Sequence, residues 1–282
     1  MEGGWKGEEK KMKILYAGDS AAGGAANYLL GILGSMKARV FHLAPSKILK
    51  PGHFKRRYDA IILSDFPAKN TPAASQKAIA DQVSKGSGLL MIGGWGSFSG
   101  PSGGWYGSTI EKILPVSCLN RDDRAHLPGG AQILEKKKHS MFRGLSFKNP
   151  PVICGLNRVR LKRSAAVLLS AGVNSSGARR IEYPLLVVDS DASKRVAAFA
   201  TDLAPHWCGG LVDWGKKRLR LRVKDGIWIE VGDQYVRFVS SLIRWLAGGN
   251  GALEGLDRLH EDEKKKGWIP LRNVKDIDNL LK

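Results

Sequence analysis

The sequence predicts an α/β fold in which helices cover both faces of a mostly parallel β-sheet. Two observations predict this fold. Short apolar runs recur along the first hundred residues, as is typical of strands that are buried on both faces. Segments with helical spacing of apolar residues lie between these runs, and such alternation favours parallel strands joined by helices. A chain of 282 residues with 43% hydrophobic residues is large enough to bury such a core.

The first half of the chain supplies four strands and two helices. The predicted strands are residues 13–18, 39–43, 58–64 and 89–92. The first helix is predicted over residues 27–36. The second extends to Ser84, with Thr71 as its N-cap and Pro72 in its first turn. The fourth strand leads directly into a glycine-dense turn, at a position where α/β enzymes often present a nucleophile.

The second half of the chain is predicted to extend the sheet, partly with antiparallel strands. A short helix over residues 108–114 is stopped by Pro115. The further predicted strands are residues 132–134, 159–161, 165–171, 183–188 and 195–200. The last predicted helix covers residues 233–246, where apolar side chains recur at helical spacing, and it ends at two glycines.

Residues 12–249 are predicted to form one domain, and residues 250–282 a charged C-terminal extension. The polar N-terminus lacks the apolar segment of a signal peptide, and no apolar run approaches the roughly 18 residues of a membrane span. Three widely spaced cysteines suit reduced thiols better than disulfides. They are Cys118, Cys154 and Cys208. We therefore expect a cytoplasmic protein that does not bind a membrane.

The formal net charge of +19 allows a polyanion partner. Between residues 124 and 181 there are twelve lysines and arginines against one acid, Glu135. A second basic segment, residues 216–224, alternates so that one strand face would carry Arg218, Arg220, Arg222 and Lys224. No nucleic-acid-binding motif accompanies the charge, so a solvated basic face is the favoured interpretation over a nucleic acid or other polyanion as partner. A homo-oligomer is compatible with the sequence.

Polar side chains follow several of the predicted strands, and ligands of open parallel sheets bind beyond the carboxyl ends of the strands. Asp19 follows the first strand and Asp65 the third. His206 lies in the predicted loop after residues 195–200, with Asp202 four residues before it, and this pair suits acid–base chemistry. The alternative is that Asp202 caps a turn while His206 packs under Trp207.

The glycine turn and a second polar segment each allow two interpretations. The turn Gly93, Gly94, Trp95, Gly96 could hold an anion through backbone N–H groups, with aromatic side chains of the following loop as a stacking wall or as anchors to the domain. Residues 120–126 hold two carboxylates and a histidine that could bind a metal. An ion-paired surface loop is the favoured interpretation of that segment.

Several segments together resemble a known family. They are residues 89–100 (LLMIGGWGSFSG), 114–116 (LPV), 122–124 (DDR), 142–145 (FRGL), 195–207 (RVAAFATDLAPHW) and 244–248 (RWLAG). In this order they resemble the family named "putative glutamine amidotransferase" within the class I glutamine amidotransferase-like superfamily, over roughly residues 12–249. Trehalose-utilisation-type proteins of the same superfamily are similar around the late strand and the last helix.

The resemblance implies a flavodoxin-like, three-layer α/β/α sandwich. Active class I amidotransferases carry a catalytic Cys, His and Glu, and the Cys lies in a Gly-x-Cys-x-Gly turn. This Cys forms a thioester with glutamine and thereby releases ammonia. Here the turn falls at residues 93–96, with Gly94 at the Cys position, and the expected His-x-Glu is absent near His206. Without a thiolate, covalent catalysis cannot begin. We therefore predict a family member without glutaminase activity.

The predicted function is small-molecule binding at the strand ends, in a pocket lined by Asp19, Asp65, Gly94, Trp95, Asp202 and His206. One alternative is a hydrolase or lyase in which Ser97 or Ser99 is the nucleophile and His206 the base, oriented by Asp202. A variant uses a metal-bound water held by Asp65, Asp202 and His206. Another alternative is an interaction module that uses the basic face. The sequence identifies neither the ligand nor a cofactor.

Overall fold

The computed structural model describes residues 11–19, 24–174, 180–223 and 227–249. Its strands are β1 (Lys13–Gly18), β2 (Arg39–Leu43), β3 (Ala60–Ser64), β4 (Gly88–Ile92), β5 (Val116–Ser117), β6 (Arg124–Glu135), β7 (Val152–Asn157), β8 (Arg160–Leu161), β9 (Ala165–Asn174), β10 (Arg180–Asp189), β11 (Val196–Phe199), β12 (Arg218–Arg222) and β13 (Trp228–Gly232). Its α-helices are α1 (Ala25–Ser35), α2 (Ala73–Ser84), α3 (Thr109–Ile113), α4 (Pro205–Val212) and α5 (Asp233–Leu246).

One nine-stranded sheet carries the fold, in the order β2-β1-β3-β4-β11-β10-β9-β6-β7. The five strands from β2 to β11 are parallel to one another. The four strands from β10 to β7 are added antiparallel. This mixed sheet, parallel at its core and surrounded by helices, confirms the predicted flavodoxin-like α/β fold with antiparallel additions.

The inner parallel strands β1, β3, β4 and β11 form because their side chains are buried on both faces of the sheet, whereas the edge strand β2 is only partly buried. Leu15, Ile61, Leu89 and Val196 lie side by side on neighbouring strands and are at most 3% exposed. They pack into one apolar cluster with Ile79 of α2 and with α3. The other face carries α1 and α5, which contact each other. Burial on both faces explains why these strands are continuous apolar runs in the sequence.

Several predicted element boundaries are confirmed and one predicted cap is wrong. The structure places β1, β2 and α5 at the predicted residues. Ser108 caps α3 by accepting a hydrogen bond from the Glu111 N–H at 3.0 Å. Thr71 does not cap α2, because the helix begins at Ala73 with Pro72 at the N-cap. The Thr71 hydroxyl is buried and has no hydrogen-bond partner among the described residues.

Strands β5, β7 and β13 and helix α4 were not predicted. The expectation that His206 lies in a loop is therefore wrong, because it lies in the first turn of α4. Two glycines within residues 205–212 weaken the helical signal in the sequence. The structure explains one of them, since a Cβ on Gly210 would lie 2.6 Å from the Val152 carbonyl oxygen. The close packing of α4 on β7 thus requires a residue that disfavours helices.

The hairpin of β12 and β13 packs against α1 and shows the predicted alternation. Arg218, Arg220 and Arg222 are exposed, while the leucines between them are buried. Lys224 and the predicted extension at residues 250–282 lie outside the described residues. No helix within the described ranges is long and apolar enough to cross a membrane.

Candidate functional site

The register of the parallel strands brings three carboxyl groups to one edge of the sheet. Gly18 pairs with Ser64, Ser64 with Ile92, and Ile92 with Phe199, so the residues that follow these strand ends lie close together. The carboxyl groups belong to Asp19, Asp65 and Asp202; the charges of Asp202 and Asp65 act on Asp19, and the charge of Asp202 acts on Asp65. We call these three residues the acidic edge. The predicted convergence of these side chains is present in the structure.

Asp19 is the most confined member of the acidic edge. It is 9% exposed, and its Oδ2 accepts hydrogen bonds from the Tyr16 hydroxyl and the Ser64 hydroxyl, both at 2.8 Å. Burial, and then the charge of Asp202, raise the pKa of Asp19 to about 7, although the two hydrogen bonds act in the opposite direction. At neutral pH this carboxyl group is therefore close to the midpoint of its titration.

Asp65 turns its side chain into the glycine turn. Its Oδ1 accepts a hydrogen bond from the Gly96 N–H, and the Trp95 N–H also stabilises the carboxylate. Burial nevertheless raises the pKa of Asp65. Asp65 has a φ of 51° and Asp19 a φ of 29°, a left-handed region that is uncommon for residues other than glycine. Strained backbone of this kind concentrates at functional sites.

The Asp65 carboxyl group occupies the space that a side chain at Gly94 would need. A Cβ on Gly94 would lie 2.6 Å from Asp65 Oδ1 and 2.8 Å from its Cγ, and the φ of Gly94 is +153°. A cysteine at residue 94 therefore cannot be accommodated unless the Asp65 side chain moves. The glycine at this position is a packing requirement of the acidic edge.

Asn157, at the end of β7, holds the glycine turn from the other side. Its Oδ1 accepts from the Gly94 N–H at 2.9 Å, and its Nδ2 donates to the Gly94 carbonyl at 3.1 Å and to Asp123 Oδ1 at 2.7 Å. Asn157 is not among the residues predicted from the sequence, because β7 was not predicted and a lone asparagine carries no signal of its own.

The backbone N–H groups of the turn are used within the protein. Gly93 donates to the carbonyls of Phe199 and Thr201, Gly94 to Asn157, and Gly96 to Asp65. The expectation that these groups could hold an anion finds no support in this geometry. The protein's own Asp65 carboxylate takes the place where such an anion would sit.

His206 and Asp202 form the predicted pair. Their Nδ1 and Oδ2 atoms are 3.3 Å apart, and the imidazole is 67% exposed. Asp202 also caps its own turn, because its Oδ1 accepts from the N–H groups of Leu203 and Ala204 at 2.6 and 3.0 Å. The hydrogen bond to Asp202, with further contributions from the charges of Asp19 and Asp65, raises the pKa of His206.

The alternative position of His206 under Trp207 is not observed. Trp207 is 6% exposed and packs edge-on to His126, with centroids 6.2 Å apart. It also fills the space beside Gly155. The His206 imidazole is therefore accessible to a ligand at the surface.

The two serines beyond the turn are bound to the backbone. The Ser97 hydroxyl donates to the Ile92 carbonyl and accepts from the Asp65 N–H at 3.0 Å. The Ser99 hydroxyl donates to the Leu119 carbonyl. Neither hydroxyl is hydrogen-bonded to His206. Among the described residues no group of three or more His, Cys, Asp or Glu side chains is arranged to hold a metal ion.

Residues 120–123 form an ion-paired and hydrogen-bonded loop, and residues 124–126 are the beginning of β6. Asp122 and Arg124 form an ion pair at 2.7 Å. Asp123 is buried and accepts from the Ser99 N–H at 2.7 Å as well as from Asn157. Through Ser99 and Asn157, Asp123 thus stabilises the glycine turn and the residues that follow it.

Of the aromatic residues in the glycine turn and the loop that follows it, two are buried and two are exposed. Phe98 and Trp105 are fully buried and fix the loop to the core. Trp95 and Tyr106 are 54% and 59% exposed. The Arg124 guanidinium carbon lies 4.3 Å from the Trp95 ring centroid. Of the predicted pocket residues, Trp95 therefore lies at the surface of the turn.

Comparison with known proteins gives a family and two similar structures. A family model described as "putative glutamine amidotransferase" matches residues 25–229. The cytoplasmic protein STM1381 of Salmonella typhimurium LT2 is 26% identical, with a TM-score of 0.57. The cytoplasmic protein STM3548 of Salmonella typhimurium is 23% identical, with a TM-score of 0.56, a likeness of fold. Each comparison covers 70% of this chain and 90% of the other.

No curated protein matches the chain. The family match nevertheless includes the glycine turn, Asp65, Asn157 and the Asp202–His206 pair. It also spans well over half of the 282 residues. The protein therefore belongs to this glutamine amidotransferase-like family.

Proposed function

We propose that this protein is a cytoplasmic, amidotransferase-like domain that binds a small molecule at the acidic edge and does not hydrolyse glutamine through a cysteine. The observation that carries the proposal is the position of the Asp65 carboxyl group, 2.6 Å from where a Cβ on Gly94 would lie. The names of the two similar Salmonella proteins support the cytoplasmic location.

The three cysteines do not replace the missing nucleophile. Burial raises the pKa of Cys118 and of Cys208 well above that of a free thiol, so both stay protonated at neutral pH. Cys154 is exposed on β7, outside the glycine turn. A thioester mechanism needs a thiolate beside a base, and none of the three cysteines lies in the glycine turn.

Binding is supported by the energetic disadvantage of the acidic edge. Burial, and to a smaller extent the charge of Asp202, raise the pKa of Asp19 and Asp65, so these two carboxyl groups lower the stability of the folded chain when they are ionised. Strained backbone at both residues adds to this disadvantage. Perturbed carboxyl groups and strain cluster where a protein meets a ligand.

Two measurements on the full chain test the proposal. Ammonia release from glutamine should stay at the buffer level, and measurable turnover would contradict the proposal. Isothermal titration with sugars, carboxylic acids and nucleotides should show binding by at least one class, and absence of binding by every class tested would also contradict it. Asp202→Asn should weaken that binding. Asp122→Asn is the matched control, because Asp122 also pairs with a cationic side chain but lies outside the acidic edge.

A second candidate function is hydrolysis or elimination by acid–base catalysis, and one observation favours it. Burial raises the pKa of Asp19 to about 7, and the hydrogen bond to Asp202 raises the pKa of His206. Groups whose pKa lies near the operating pH suit the roles of general acid and base. In this version Asp19 protonates a leaving group and His206 accepts a proton from the attacking water. His206→Ala should then abolish turnover of a substrate found by screening, and an unchanged rate would exclude this role.

A further inference from the structure

An open cleft of about 310 Å³ lies beside His206, where α1, α4 and β13 begin. Its lining includes Ala25, Tyr28, Pro205, His206, Ile227 and Trp228. None of the described residues that line it carries a carboxyl group. His206 connects the cleft with the acidic edge, because its Nδ1 lies 3.3 Å from Asp202 Oδ2.

His206 is the residue of the lining that can carry a charge. Its Nδ1 is hydrogen-bonded to Asp202, and this bond raises the pKa of the imidazole, so the charged form is favoured more than in a free histidine. The side chain is 67% exposed. Because Asp202 uses Nδ1, the second ring nitrogen, Nε2, is the one that can donate to a ligand. An N–H group of a charged imidazole bonds most strongly to an anion.

The carboxyl groups of the acidic edge lie outside the lining of the cleft, and each already accepts hydrogen bonds from the protein. Asp202 is held by His206 and by the backbone of its own turn. Asp65 accepts from the Gly96 N–H. Asp19 is 9% exposed, and with a pKa of about 7 it carries only part of a negative charge at neutral pH. These groups therefore favour the charged form of His206 more than they oppose an anion in the cleft.

The opposite wall of the cleft is apolar and accessible. Trp228 is 52% exposed and Ile227 is 44% exposed, although both side chains are large. Tyr28 and Pro205 continue this wall. A concave site with apolar walls and a few polar atoms is the usual form of a small-molecule site. The ligand therefore has a flat apolar part as well as a group that His206 can bind.

The charges around the apolar wall favour an anion over a cation. The Arg220 guanidinium carbon lies 5.7 Å from the centroid of the Trp228 ring. Glu230, on the same strand as Trp228, is paired with Arg218 at 3.4 Å. The first turns of α1 and α4 contain no acidic residue. A ligand at Trp228 thus lies beside a guanidinium group, which attracts a negative charge and repels a positive one.

We infer that this cleft binds an organic carboxylate, carried on a flat apolar group. The His206 Nε2–H group donates to the carboxylate, while the apolar group packs against Trp228 and Ile227. Of the described lining residues only His206 can be positively charged, and this single charge matches a carboxylate better than a doubly charged phosphate. Asp202 is a positioning residue, because it holds the imidazole in its charged form. This inference rests on the proposed function and names the ligand class.

Titration of the full chain with four compounds that share one ring tests the inference. The probes are benzoate, which is a single anion, benzyl alcohol, which is neutral, benzylamine, which is a cation, and phenyl phosphate. We expect benzoate to bind about tenfold more tightly than benzyl alcohol, the difference of one charge-assisted hydrogen bond. Benzylamine should bind more weakly than the alcohol, and phenyl phosphate no more tightly than benzoate.

Two matched histidine variants test the charged contact. His206→Gln should weaken benzoate binding about tenfold and leave the binding of benzyl alcohol unchanged, because glutamine keeps an N–H donor but cannot be charged. His126→Gln should leave both unchanged, since His126 is also exposed but lies on β6, outside the lining of the cleft. Asp202→Asn should reduce the preference for benzoate over the alcohol, because it removes the charge that stabilises the imidazolium.

Two matched tryptophan variants test the apolar wall. Trp228→Ala should weaken the binding of benzoate and of benzyl alcohol alike, about tenfold, because it removes the aromatic wall. Trp95→Ala should change neither. Trp95 is likewise about half exposed and has the Arg124 guanidinium over its ring, but it lies on the glycine turn. Both side chains are exposed, so neither variant is expected to unfold the protein.

The possible failures are distinguishable. If benzyl alcohol, benzylamine or phenyl phosphate binds more tightly than benzoate, the carboxylate assignment is overturned while the proposed binding function stands. The same holds if none of the four probes binds but a sugar or a nucleotide does. If His126→Gln or Trp95→Ala weakens benzoate binding and the variants of the cleft do not, the cleft is the wrong site. If nothing binds in either series, both proposals fall.

Discussion

Charged side chains cluster both at the acidic edge and on the hairpin of β12 and β13, but the two clusters differ in burial and in the sign of neighbouring charges. On the hairpin, Arg218 donates to Asp213 at 2.8 Å and lies 3.4 Å from Glu230, with all three side chains at least one third exposed. Arg220 lies over the Trp228 ring, 5.7 Å from its centroid. At the acidic edge the charges have the same sign, and Asp19 is almost completely buried.

The difference shows which charges carry information about function. Exposed and paired charges change stability little, because water screens them and side-chain entropy opposes the pairing. Buried carboxyl groups of like charge lower stability, and selection for folding alone would remove them. The acidic edge is therefore the better indicator of a binding site, although the hairpin dominates the sequence by its number of charges. Three predictions test this contrast, in order of expected effect.

Gly94→Cys should destabilise the protein by about 4 kcal/mol, because the new Cβ meets the Asp65 carboxyl group at 2.6 Å and the backbone is strained for any side chain. Urea unfolding followed by circular dichroism measures the change. Gly107→Cys is the matched control. Gly107 also has a positive φ, +74°, but nothing lies within 4 Å of the point where its Cβ would be, so only about 1 kcal/mol is expected.

The double variant Gly94→Cys with Asp65→Gly should recover much of this loss, since it removes the carboxyl group and relieves the φ of 51° at residue 65. If Gly94→Cys alone is as stable as the original protein, Asp65 does not fill the nucleophile position. Steric exclusion by Asp65 would then give no reason to expect a lack of glutaminase chemistry.

Asp19→Asn should stabilise the protein at alkaline pH by about 3 kcal/mol. The pKa of Asp19 is raised from 3.8 to about 7 in the folded protein, so the folded state binds the proton more tightly than the unfolded state. Asp19 makes its full stabilising contribution to the folded state below pH 3.8, and this contribution is lost as the pH rises through about 7. Asparagine cannot ionise and avoids that loss.

Unfolding free energies at pH 4 and pH 8.5 measure the effect of Asp19→Asn. The gain should be small at pH 4, where the carboxyl group is mostly protonated in the folded state, and largest at pH 8.5. An equal gain at both values would mean that the variant acts through hydrogen bonds with Tyr16 and Ser64 rather than through charge.

Arg218→Ala should change the unfolding free energy by only about 0.5 kcal/mol. The ion pairs of Arg218 with Asp213 and Glu230 are solvated, and exposed pairs contribute little. Thermal unfolding at low and high salt measures the change, which should shrink further as salt is added. A loss of about 2 kcal/mol or more would be a change of more than tenfold in the folding equilibrium constant, since about 1.4 kcal/mol corresponds to a factor of ten. Such a loss would show that the hairpin depends on its charges and would remove the contrast with the acidic edge.

The sequence by itself determined the strands of the parallel core and the ends at which polar residues follow them. Apolar runs and helical periodicity are local consequences of burial, so β1, β2 and α5 could be placed to the residue. Asp19, Asp65, Asp202 and His206 could be named because parallel strands end at one edge. The resemblance of several segments to a family then identified the fold as flavodoxin-like.

Only the tertiary structure decided which of these groups meet and which side chain lies against Gly94. The contact of Asp65 with Gly94 joins two loops, and Asn157 reaches the same turn from β7, a strand with no clear pattern in the sequence. An open cleft beside His206 is lined by residues from the starts of α1, α4 and β13, which lie far apart along the chain. Such contacts depend on strand order and register over long range, and periodicity records only how each segment is buried, not which distant segment lies beside it.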